Sequence, residues 1–89
     1  MSHTVRNKTR LIARVRRLKG QMEAIERALE SEVPCADILN QVASVRGAVN
    51  GLTAELIEDH IREHVAKAEE GAREEGVAEL VDVIRTYMR

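Results

Sequence analysis

The sequence predicts an all-α protein, a three-helix protomer with two long helices and a short C-terminal one. Apolar residues recur at intervals of four and three over two long stretches, the spacing of a helix face. No stretch carries the alternation of a half-buried strand. The apolar side chains are Leu, Ile, Val and Ala, with Tyr87 the one aromatic residue, which suits thin helix-on-helix packing better than a thick core. Eighty-nine residues make one domain, 1–89.

The first helix is expected over 5–31, with Thr4 as N-cap. Leu11, Val15, Leu18, Met22, Ile25 and Leu29 form its seam, and Arg10, Arg14 and Arg17 form a second stripe on another face. Gly20 interrupts this helix at a cost of ~1 kcal/mol relative to Ala, and close approach of another helix is one reason to tolerate it. Glu32, Val33 and Pro34 break the helix, since Pro34 disfavours helix at the residue before it and suits the first turn of the next.

The second helix is expected over 35–68. Its seam is Ile38, Val42, Val45, Val49, Leu52 and Leu56, widened by Leu39, Ala43, Ala48 and Ile57, enough for more than one neighbour. Gly47 and Gly51 permit close backbone approach, and Arg46 and Asn50 lie one turn apart. A charged connection from Glu69 to Gly76 leads to a third helix over 77–88, with Val77, Leu80, Val81, Ile84 and Tyr87 on one face. Helices this long cannot all hide their apolar stripes inside one small chain, so an oligomer is expected.

Charge is segregated. The first 22 residues hold Arg6, Lys8, Arg10, Arg14, Arg16, Arg17 and Lys19 and no acid; the rest holds all 15 acids against 7 basic residues. A basic first helix points to a polyanion, and the carriers expected to meet DNA phosphates are Arg14, Arg17 and Lys19, supported by Arg10, Arg16 and Arg46. A solvated face is the bland alternative. A membrane-surface helix is disfavoured, because the apolar seam is needed for packing and has no aromatic anchor. A single cysteine excludes an intrachain disulfide and fits a reducing cytoplasm. No apolar run approaches a membrane span, and no signal-peptide core opens the chain.

Cys35, His60 and His64 carry the chemistry. His60 and His64 are four apart and project from one helix face, where both imidazoles can reach one metal ion. Cys35 lies 25 residues before His60 on the same expected helix, roughly 37 Å away. If the three residues form a site, the thiolate must come from a second protomer, and an antiparallel pair of these helices would supply it. Nitrogen-rich ligation with one sulfur suits Ni(II), Co(II) or Zn(II) better than Cu(I). An HxxxH pair alone is usually two surface histidines.

The segment Arg14-Val-Arg-Arg-Leu-Lys-Gly-Gln, the lone Cys35, the run Val45-Arg-Gly-Ala-Val-Asn-Gly-Leu, the pair His60 and His64 and the opening Met-Ser-His match over essentially the full length. In these the chain resembles the CsoR/RcnR/FrmR family of small all-helical bacterial repressors, and the set His3, Cys35, His60 and His64 is similar to its nickel/cobalt-responsive branch. The resemblance implies a disc-like homotetramer, a dimer of antiparallel helical dimers, that binds operator DNA when metal-free and leaves it on binding Ni(II) or Co(II). His3 would complete the ligand set, with the terminal amine a further donor. The family also contains formaldehyde sensors, in which a cysteine and an N-terminal proline become crosslinked. Here position 2 is Ser2 and position 64 is His64 where that branch has glutamate, so Cys35 as a nucleophile toward formaldehyde is the alternative. An enzyme is disfavoured: there is no phosphate loop, no nucleophile elbow and little room for a substrate pocket.

Overall fold

The computed structural model describes residues 3–88, and the side chains of residues 3 and 6 lie outside that description. The chain is all-helical: two long helices and a shorter C-terminal one, preceded by a single turn. That turn is α1 (His3–Arg6); α2 is Lys8–Glu30, α3 is Cys35–Ile61 and α4 is Glu70–Tyr87. Between α3 and α4 lies one π-helical segment, Arg62–Ala66. The chain divides into two compact units, residues 7–53 and residues 1–6 with 54–89.

The start of α2 corrects one expectation. Thr4 lies inside α1, and Asn7 stands at the N-terminus of α2 without a side-chain capping bond. The end of α2 explains the break read from Pro34. The amide of Val33 donates to the carbonyl of Ala28 at 3.0 Å and that of Glu32 to Leu29 at 3.2 Å, a Schellman closure. Glu32 takes the left-handed position of that closure with φ 56°, where glycine is the unstrained choice. Pro34 then opens α3: its carbonyl accepts from the amides of Asp37 and Ile38.

Within the 7–53 unit, α2 and α3 run antiparallel, since Gln21 meets Ser44 while Arg14 meets Gly51. The face of α2 turned inward is Leu11, Arg14, Leu18, Gln21, Ala24, Ile25 and Ala28, of which Ile25 and Ala28 are buried and the rest half-buried. The seam expected from sequence is thus split. Leu11, Leu18 and Ile25 go inside, whereas Val15, Met22 and Leu29 stay outside, Leu29 being 60% exposed. The same division runs along α3. Ile38, Val45, Ala48 and Leu52 are half-buried, while Leu39, Val42 and Val49 are exposed. Polar and small residues share the inner seam with aliphatics, and the remaining aliphatics stay exposed as a second apolar set.

The inner seam holds a polar layer. Gln21 Nε2 donates to Ser44 Oγ at 3.2 Å, beside a cavity of about 100 Å³ bounded by Gln21, Ala24, Gln41 and Ser44. The buried carbonyl oxygens of Gln21 and Gln41 have no protein partner there. Gly51 permits the approach of Arg14, whereas Gly20 and Gly47 have no neighbour within 4 Å of where a side chain would start. Close contact within the chain therefore accounts for Gly51 alone of these three.

The second and third helices end and begin elsewhere than expected. The α-helix stops at Ile61 and the next five residues adopt π geometry, closed by the amide of Lys67 donating to the carbonyl of Arg62 at 3.0 Å. A one-residue slip of hydrogen-bond register leaves no trace in apolar spacing. α4 begins at Glu70, not near 77. Ala72, Arg73, Glu74 and Glu75 are good helix formers, and the flanking Gly71 and Gly76 do not break the run.

Candidate functional site

His60 lies in the last α-helical turn of α3 and His64 in the π segment that follows. Their rings are tilted at 39° with centroids 4.8 Å apart, and both residues are half-buried. His60 Nε2 lies 2.9 Å from the main-chain oxygen of Gly76 in α4. A carbonyl only accepts, so Nε2 carries the proton and donates. In the neutral ring this leaves the lone pair on Nδ1. A ring nitrogen pinned to a backbone carbonyl while the other stays basic is the usual arrangement of a metal-binding imidazole.

Gly76 is the buried glycine of α4 and packs on the main chain of His64. A Cβ at Gly76 would collide with the His64 carbonyl and come within 2.9 Å of the His64 Cβ. Arg73 closes the same region from one turn earlier. Its Nε donates to the carbonyl of Val65 and its Nη2 to that of Ala68, each at 3.1 Å. Two ion pairs flank the turn along the chain, Arg62 with Glu58 at 2.7 Å and Lys67 with Glu63 at 3.5 Å. Both are surface i,i+4 pairs and contribute a few tenths of a kcal/mol at most.

Cys35 is a free, exposed thiol at the opposite end of α3, at its first residue. α3 is unbroken for 27 residues, and a helix of that length rises about 40 Å. Among the described residues, no three His, Cys, Asp or Glu side chains of one chain converge on a point that could hold a metal. The structure thus brings His60 and His64 together and leaves Cys35 apart from them. His3 lies outside the described side chains. The donors fit a nitrogen- and sulfur-ligated transition metal: two imidazoles on successive turns and one exposed thiol.

The basic residues divide as well. Arg10, Arg16, Arg17 and Lys19 are exposed on α2, and Arg46 is exposed on α3. Arg14 was expected on the stripe with Arg10 and Arg17, but it is half-buried, its Nη1 lying 3.3 Å from the position a Gly51 Cβ would take. Sequence reasoning missed Arg73 and Gly76, which lie in a stretch read as a charged connection. The position of Gly76 16 residues after His60 gave no signal, because their contact depends on how α4 folds back.

Taken together, the described residues form an all-helical protein with exposed cations along α2 and a histidine pair at the end of α3. The family model "Metal-sensitive transcriptional repressor" matches residues 7–86, and the chain belongs to that family. A protein of Serratia marcescens known as the uncharacterized protein in the bioA 5′ region is 54% identical over the whole of both chains. The transcriptional repressor RcnR of Salmonella paratyphi B is 40% identical, again over the whole of both. Among solved structures, a variant of the formaldehyde-responsive regulator FrmR of Salmonella enterica serovar Typhimurium, with a glutamate replaced by histidine, is similar at a TM-score of 0.81. It is 45% identical, with 92% of this chain and 94% of that one covered. The protein is an effector-sensitive transcriptional repressor of the RcnR/FrmR family, and that family is one of repressors, not enzymes. No described helix is long and apolar enough to cross a membrane.

Proposed function

We propose that the protein is a Ni(II)- or Co(II)-responsive repressor, with Zn(II) a further effector. It holds operator DNA when metal-free and releases it when Cys35 of one protomer and His60 and His64 of another share an ion. His3 joins them from the N-terminus. The observation that carries this reading is the division of the ligands on α3. The paired imidazoles stand at one end and an exposed thiol opens the other, with no three-residue cluster among the described residues of one chain. A second copy laid antiparallel supplies the missing sulfur. The exposed face of Val15, Met22, Leu29, Leu39, Val42 and Val49 offers that copy a surface, each buried aliphatic contributing about 1.5–3 kcal/mol.

The bound ion supplies Lewis-acid attraction between donors of two chains; the rest is done by this chain. His60 offers Nδ1 because Gly76 holds its Nε2 proton. Ligation through His3 would act on the chain that leads into α2, whose exposed Arg10, Arg16, Arg17 and Lys19 contact phosphates together with Arg46 and Arg14. Release requires the ion to be held more tightly by the form that does not fit DNA, and a coupling of about 1–3 kcal/mol gives a 5–150-fold change in affinity. The protein acts in the cytoplasm as a homotetramer, one sensing and DNA-binding domain per chain.

The second reading is a formaldehyde-responsive repressor. The likeness to the formaldehyde-responsive regulator favours it, as does the exposed Cys35, whose S–H would add across the aldehyde carbonyl. Promoter-DNA binding under titration with nickel, cobalt, zinc, copper(I) and formaldehyde decides between them. Stoichiometric nickel or cobalt releases DNA if the first reading holds; release by formaldehyde alone replaces it with the second.

A further inference from the structure

We propose that Arg73 is the positioning residue of the histidine pair: its guanidinium bridges two carbonyls of the chain after α3 and fixes the π turn that carries His64. The inference rests on the reading of His60 and His64 as ligands.

The end of a helix leaves its last carbonyls without intrahelical partners. Arg73 satisfies one of them, Val65 through Nε, and through Nη2 it also holds the carbonyl of Ala68 just past the helix end, each at 3.1 Å. A planar guanidinium presents these donors in a fixed fork, so the two carbonyls are held at a set separation. Arg73 is itself placed by the first turn of α4, where its amide donates to the carbonyl of Glu69 at 2.7 Å. One turn further on, Gly76 packs on the His64 main chain and its carbonyl takes the His60 proton. Two points on α4, three residues apart, thus grip the strip of chain that holds both imidazoles. His60 precedes the π turn and His64 lies within it. If the turn slips back to α register, both rings stay on one helix face, but the His64 ring turns relative to His60 and the distance and angle between the two imidazoles change. Arg73 keeps the π register and thereby sets the bite of the two ligands without touching the ion.

The test compares the full-length protein with Arg73→Ala and Arg73→Lys. In the metal-free state, amide hydrogen exchange across residues 64–68 should be about tenfold faster in Arg73→Ala. Co(II) affinity should fall ten- to hundredfold, the range seen when a group supporting a ligand is removed. The cobalt ligand-field bands should shift, and Arg73→Lys, whose ammonium reaches one carbonyl at a time, should recover part of both. Helix content and metal-free DNA affinity should stay within twofold. Wild-type exchange, spectrum and cobalt affinity in Arg73→Ala would overturn the proposal. General loss of helix with no recovery by lysine would also overturn it, since Arg73 would then merely hold the fold. Failure of the wild-type protein to take up cobalt at all would remove the ligand reading and the ligand-positioning role with it; that failure is separate from a wild type that binds cobalt and an Arg73→Ala that binds it equally well.

Discussion

His60 Nε2 donates to the main-chain oxygen of Gly76 across 2.9 Å, and the backbone of Gly76 is packed directly on His64. One residue of α4 therefore orients the first histidine and limits the room of the second. This relationship makes the C-terminal helix part of the structure that holds the histidine pair.

Replacing Gly76 by alanine tests that packing. The new Cβ meets the His64 carbonyl, a backbone atom that cannot rotate away. Overpacking of this kind costs about 1–3 kcal/mol, more than the helix propensity alanine gains. Gly71→Ala is the control, because nothing lies within 4 Å of its Cβ position. Thermal unfolding should show Gly76→Ala melting lower than wild type and Gly71→Ala unchanged or higher by up to ~1 kcal/mol.

Glu32 is the one described non-glycine residue with positive φ, at the left-handed position that closes α2. Glu32→Gly should relieve strain of about 1 kcal/mol and raise the unfolding midpoint. A lower midpoint would show that the carboxylate compensates its backbone cost in the assembled protein.

The exposed apolar face should hold the oligomer together. Leu39→Glu places a charge where Leu39 is 62% exposed in one chain and, by the reading above, covered by another. Sedimentation should show a lighter species that keeps its helix content. An unchanged sedimentation coefficient would move the subunit contact elsewhere.

For the DNA surface, Arg17→Ala removes an exposed cation and should lower operator affinity at all sequences while reducing the salt slope by about one phosphate contact. Gly51→Ala should act differently. Its Cβ would stand 3.3 Å from Arg14 Nη1, so the guanidinium shifts by a few tenths of an ångström while helix propensity rises. A salt-dependent binding curve measured on both variants separates a phosphate contact from a packed arginine.

Cys35→Ala should leave metal-free DNA binding intact and abolish release by nickel, read by fluorescence anisotropy on promoter DNA. The thiol is exposed at the start of α3, so its loss should disturb no core. Normal release of DNA by nickel in Cys35→Ala would refute the thiolate assignment.

The long helices, their break at Pro34 and the separation of Cys35 from the histidines could be read from the sequence, because periodicity and a proline act locally. Which half of each seam faces inward could not. Leu11, Leu18 and Ile25 differ in no chemical way from Val15, Met22 and Leu29 that tells inside from outside, and the inner seam proved to include Arg14 and Gln21. The start of α4 was misplaced by the apolar pattern, since Glu70 to Glu75 is helical without an apolar face. Arg73 and Gly76 were invisible for the same reason.

What the sequence determined by itself is the all-helical character, the cationic first helix and the separation of Cys35 from the His60 and His64 pair along the chain; each follows from spacing and charge. The tertiary structure alone decided the π register under His64, the proton on His60 Nε2 and the inward turn of Arg14. These depend on which backbone groups meet across space after the chain folds back, and nothing in local order specifies such meetings.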